Sequence, residues 1–134
     1  MSVKSYLLRN TLLINAGTSL LTGGVALAFA DPLARWTGIA PWILYTLGVG
    51  LVLFAADVAW TGTQKNINPL FARLIIAADV AWVVGSGLSL HLFQDRLTTE
   101  GSWVVEILAI AVAVLAVLQT VGLKRLGDHH PRTA

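Results

Sequence analysis

Long apolar runs alternate with short polar breaks along this chain, and the runs are continuous rather than striped. Four of them, Tyr6–Ala30, Pro41–Thr61, Leu70–Gln94 and Ser102–Leu123, reach the length of about 20 residues that a helix needs to cross a hydrocarbon core. The breaks between them read as turns. Asp31 to Pro41 carries two prolines and a glycine. Thr61 to Pro69 is polar and ends in a proline suited to the first turn of a helix. Asp95 to Gly101 is polar, and Ser102 behind it is placed to cap the fourth helix. The pattern predicts an all-α, four-helix transmembrane bundle in one domain over residues 1–134, with residues 124–134 as a polar tail.

Composition sharpens this reading. The 134 residues are 56% hydrophobic and 12% charged, too few charges to coat a water-exposed body. A soluble domain carries about 25%. Mean hydropathy is +0.74. With no cysteine, disulfides and thiolate-held metals are excluded. The basic residues sit in short loops and tails, with no stripe of cations and interleaved aromatics, so no nucleic-acid partner is expected.

Lys and Arg set the expected orientation. With the N-terminus cytoplasmic, that side holds Lys4, Arg9, Lys65, Arg73, Lys124, Arg125 and Arg132, against Arg35 and Arg96 outside. Both termini are therefore expected inside. Trp36, Trp42, Tyr45 and Trp103 then fall at the outer interface. Ala28-Phe29-Ala30 resembles a signal-peptide cleavage site, but the run before it is long and contains Asn15, which favours a retained helix.

Ala-Ala-Asp-Val-Ala-Trp occurs twice, at Ala55–Trp60 and Ala77–Trp82. A looser repeat relates the two halves. A shift of 64 positions sets Arg9 on Arg73, Asn15 on Asp79, Gly23 on Gly87 and Asp31 on Asp95, and after a small gap Trp42 falls on Trp103. Two spans per repeat imply tandem hairpins related by a pseudo-two-fold axis along the membrane normal. Small residues at Ser19-xxx-Gly23, Ala81-xxx-Gly85 and Gly85-xxx-Ser89 are expected to let helices approach closely.

The candidate chemistry lies in the polar residues inside the spans. Asn15, Asp57, Asp79 and Gln119 put one amide or carboxyl on each helix at a broadly similar depth. Lipid offers them no partner, so an inward-facing hydrogen-bonded layer is expected. Asp57 and Asp79 are the candidate titrating groups, sharing a proton or pairing with Arg9 or Arg73. A bridge between helices, such as Arg73 to Asp57, is favoured over one within a helix. Trp60 and Trp82 each follow their aspartate by three residues and share its face, as possible covers for a ligand. Groups of this kind serve equally well as glue between helices.

Other signals are weak. His91 stands without a second intramembrane histidine, His129 and His130 belong to the tail, and Glu106 lies about one turn into the fourth helix. No nucleophile constellation or phosphate-binding glycine loop stands out, and nothing names a cofactor.

The segments Leu47-Gly48-Val49-Gly50-Leu51-Val52-Leu53-Phe54-Ala55, Ala78–Ser86 and Gln119–Arg125 resemble a loose set of small bacterial four-span membrane proteins with no assigned activity. The resemblance implies a bacterial inner-membrane location and four spans, and it carries over no catalytic residue. Small multidrug exporters and fluoride channels share the size alone. The expectation is a non-enzymatic protein that binds or passes a small solute, proton or ion, as a homo-oligomer. The alternatives are an accessory or scaffold subunit of a larger membrane complex, and then an enzyme acting on lipids or quinones.

Overall fold

A computed structural model describes residues 5–128. Five helices follow in order: α1 (Ser5–Ala28), α2 (Ala30–Thr37), α3 (Pro41–Thr63), α4 (Pro69–Leu92) and α5 (Thr99–Asp128). No strand is present among the described residues. The four long helices are apolar enough to cross a membrane, with mean hydropathies of 1.4, 1.8, 1.6 and 2.5 over their spans. Large apolar side chains such as Leu21, Leu53, Leu74, Val84, Ile107 and Val117 face outward. A bundle that is hydrophobic outside as well as inside fits a lipid surround.

The elements differ from expectation in three places. The first break folds into α2 rather than an open turn. This helix ends at Gly38, whose φ of 79° suits glycine. The Gly38 N–H donates to Ala34 O, and a Cβ there would run into Arg96 O. The cap of α5 is Thr98, not Ser102. Thr98 Oγ1 accepts from Gly101 N at 2.9 Å and donates to Trp36 O at 2.6 Å, while Thr98 N donates to Thr37 O. One residue thus starts α5 and ties it to α2. Third, α5 continues through Lys124 and Arg125 to Asp128, so the start of the expected polar tail is helical; residues 129–134 lie outside the described part.

The long helices form a bundle in which α1 is central. It packs along α3 on one side and along α5 on the other, and α4 packs on α5. The α1–α3 contact is backbone to backbone: a Cβ on Gly23 would meet Gly48 O at 2.9 Å. Likewise, a Cβ on Gly122 of α5 would meet Leu8 N and Cα at 2.9 Å. The small residues of α4 behave otherwise. Gly85 has nothing within 4 Å of a Cβ and faces open space, so the expected close packing belongs to α1 and not to α4.

The fourth side of the bundle is nearly open. α3 and α4 scarcely touch, although two-fold related hairpins would require α3–α4 to match α1–α5. Where they approach is at the end that holds the start of α1, through the rings of Trp60 and Phe71, 6.0 Å apart and tilted by 53°. At the same end lies the apolar core. Leu8, Leu12, Ala16, Val58, Ile67, Ala72 and Ile75 cluster there, with Phe54, Ala59 and Leu123 against them. Exposed Trp36, Trp42 and Trp103 gather at the opposite end, around α2.

Candidate functional site

Asn15, Asp79 and Gln119 meet at the centre of the bundle. Each stands about 14–15 Å, at 1.5 Å per residue, from the same end of the molecule. Asn15 and Asp79 each sit ten residues into their helix, and Gln119 nine residues before the end of its own. All three are buried, with Gln119 at 0% exposure and Asp79 at 3%.

Their hydrogen bonds form a closed set with one opening. Asp79 Oδ2 accepts from Asn15 Nδ2 at 2.9 Å and from Gln119 Nε2 at 2.6 Å. Asn15 Nδ2 also donates to Gln119 Oε1 at 3.1 Å, and Asn15 Oδ1 accepts from Ser19 Oγ at 3.2 Å. Every polar atom of the two amides therefore either donates or accepts. Asp79 Oδ1 takes no hydrogen bond from the described residues, yet it is not among the side-chain atoms sealed away without a partner. It keeps contact with open space.

That space is a cavity of about 200 Å³ bordered by α1, α3, α4 and α5. It begins at the polar layer and extends toward the α2 end, opposite the apolar core. Thr18 and Thr22 of α1 border it and make no hydrogen bond to the described residues. Thr11, Thr46, Thr61 and Thr120, by contrast, each donate to the carbonyl four residues earlier. Trp82 borders the cavity too, and its indole Nε1 is buried without a partner. A buried donor without an acceptor costs about 1–3 kcal/mol. Among the described residues, Asp79 is the one charged residue bordering the cavity.

Asp57 does not join this layer. Its side chain is exposed, and its neighbour Val58 is the one that points into the core, at 0% exposure. Adjacent positions on a helix differ by about 100° around the axis, so burying Val58 turns Asp57 outward. Asp57 and Asp79 therefore share no proton. Nor does Arg73 bridge to Asp57 as expected: Arg73 is exposed, about 120° around α4 from Asp79 at six residues' separation. Arg9 instead donates from Nη1 to Gly62 O at 2.6 Å and from Nη2 to Lys65 O at 3.3 Å. These carbonyls lie at and just after the C-terminus of α3, where a cation is favourable. Trp60 is exposed and packs on Phe71 rather than over a ligand space, so of the two tryptophans only Trp82 reaches the cavity.

The remaining sequence candidates stay outside the site. His91 and Glu106 are exposed, and His129 and His130 lie outside the described residues. Among the described residues no group of three or more His, Asp or Glu could hold a metal ion. The residues missed by sequence reasoning are Thr18, Thr22 and Ser19. Their spacing, three, seven and four positions from Asn15 along α1, is the signal that places them on one face.

No family model, curated protein or solved structure matches this chain. The fold and site define a four-helix bundle, built of helices able to span a membrane, with a buried carboxyl–amide layer beneath a cavity. The particular chemistry follows from that geometry alone.

Proposed function

We propose that this chain is a non-enzymatic membrane protein that binds a small solute, or passes it, at the cavity above Asp79. The observation that carries the reading is the free Asp79 Oδ1, an unpaired acceptor on a carboxyl 3% exposed, beside an open volume. A carboxyl inside a membrane span is costly by about 2.5–3.5 kcal/mol, and a lock between helices has no use for an oxygen left open. The surroundings in this reading are the bilayer of a bacterial inner membrane. Lys65, Lys124 and Arg125 stand at the same end as the start of α1, which supports a cytoplasmic placement of that end.

A second reading is a scaffold subunit of a larger membrane complex, supported by the mutual hydrogen bonds of Asn15, Asp79 and Gln119. Native mass spectrometry of protein extracted gently from its own membrane separates the two. Wild type is compared with Gly50→Phe. Gly50 borders the cavity and has nothing within 4 Å of a Cβ, so the ring fills the space with little disturbance. The expected result is a small molecule carried by wild type and absent from the variant. Bare protein in both samples, or a stoichiometric larger protein in both, overturns the solute-binding reading.

A further inference from the structure

The geometry points to a ligand class and a route: we propose that the cavity takes the ammonium head of a lipid-soluble amine, which enters sideways from the bilayer between α3 and α4. The inference rests on the solute-binding reading above and adds to it the charge and the path of the ligand.

The route follows from the missing side of the bundle. α1 lies against α3 and α5, and α5 against α4, while α3 and α4 meet chiefly at the Trp60–Phe71 pair. The cavity sits farther along the same gap. The exposed residues among those bordering it, Thr46, Leu47 and Gly50 of α3 and Ala78 of α4, all lie on this side, whereas those from α1 and α5 are buried or half-buried. Its mouth is therefore on the α3–α4 side, and the lips are apolar apart from Thr46, whose hydroxyl is tied to Trp42 O. Gly50 keeps one lip low, because it has no side chain where a Cβ would stand in open space. An apolar mouth of this kind admits a hydrocarbon tail more readily than a hydrated ion, which must shed its water to pass.

The class follows from charge. Asp79 is bordered by two amides, which donate hydrogen bonds but carry no countercharge. Among the described residues no cation borders the cavity, and Arg9 is committed to carbonyls at the end of α3. A ligand cation supplies the missing charge and donates to Oδ1. The other free oxygens on the wall, Thr18 and Thr22, accept the remaining ammonium protons. Phe54 and Trp82 border the same space with aromatic rings, whose faces attract cations. The volume fits a head with its first few carbons. An engineered cavity of about 150 Å³ takes benzene, and this one measures about 200 Å³. The rest of the tail lies out along the α3–α4 gap. Asp57 adds to the attraction: it follows Gly50 by seven residues and Phe54 by three, on the same stripe of α3, and is exposed toward the Trp60 end of the gap.

The test uses the full chain in phosphatidylcholine nanodiscs, titrated with octylamine, octanol, octanoate and propylamine while the melting temperature is followed. Wild type, Asp79→Asn and Gly50→Phe are compared. Asp79→Asn keeps an oxygen that accepts from Asn15 and Gln119, so its fold is preserved while the charge is lost. The expected result is saturable stabilisation of wild type by octylamine, with Asp79→Asn weakening it about 10- to 100-fold and Gly50→Phe abolishing it. Octanol or octanoate binding as tightly as octylamine, and lost in Gly50→Phe, would overturn the cationic class and leave solute binding intact. Propylamine binding as tightly as octylamine would overturn the lateral route. If none of the probes stabilises wild type, the amine proposal falls. Solute binding falls with it only if wild type also yields no native ligand in the mass spectrum.

Discussion

Asn15 Nδ2 donates to Asp79 Oδ2 over 2.9 Å, joining two positions that lie 64 residues apart in the sequence. The contact links α1 to α4 through side chains alone, since the two helices do not pack on each other, at the level where Gln119 arrives from α5. It also decides which oxygen of Asp79 is used inside the protein and which is left to the cavity.

Removing the amide from this contact has a defined cost. Asn15→Leu strips Asp79 Oδ2 and Gln119 Oε1 of one donor each, with all groups buried. The expected loss is about 1–3 kcal/mol of stability, measured by denaturant titration in detergent micelles. Gln119→Leu should cost a similar amount. The double variant should lose clearly less than the sum, since the residues share Asp79 as a partner.

Asp57 gives the opposite expectation, although its hexapeptide is identical to the one around Asp79. Its side chain is exposed and belongs to no buried network. Asp57→Asn should leave stability within about 0.5 kcal/mol of wild type. A loss comparable to that of Asn15→Leu in the same titration would place Asp57 inside the polar layer after all.

Two glycines on adjacent helices should respond with opposite signs. Gly23→Ala forces a Cβ to within 2.9 Å of Gly48 O, a backbone atom that cannot turn aside. Overpacking of this sort costs about 1–3 kcal/mol. Gly50→Ala meets nothing within 4 Å and adds helix propensity, for an expected gain of about 0.5–1 kcal/mol. Melting temperatures of the two variants, measured side by side, check the contrast.

Thr98→Val removes the hydroxyl that caps α5 and reaches Trp36 O. A lost cap costs about 1 kcal/mol, and here the α2–α5 tie is loosened with it. Amide exchange should therefore speed up at Gly101 and around Thr37, while the amides beside Asn15 stay protected. Equal acceleration at both ends would show that the cap governs the whole bundle rather than its α2 end.

The four apolar runs were legible because length and hydropathy are local properties. Pro41 and Pro69 marked two helix starts for the same reason. The α2 helix was hidden by Pro32, which falls in a first turn where a missing N–H is tolerated. The depth of the polar layer could be read from residue counts, since helical rise is constant. Its membership could not be read from depth alone. With Trp42 aligned on Trp103, Gln119 falls on Val58 and not on Asp57, and that single position is about 100° of rotation. Gln119 points inward, as Val58 does, and Asp57 points outward.

Sequence alone determined an all-α bundle of four apolar helices and the level of the candidate amides and carboxyls Asn15, Asp79 and Gln119, because each depends on the chain's neighbours along itself. Tertiary structure decided which of them meet. Glycine contacts at Gly23, Gly48 and Gly122 draw α1 against α3 and α5, and the α3–α4 side is left apart. The free oxygen of Asp79, the cavity beside it and the gap between α3 and α4 all follow from that unequal packing. It depends on the rotation and separation of whole helices, which no local pattern records.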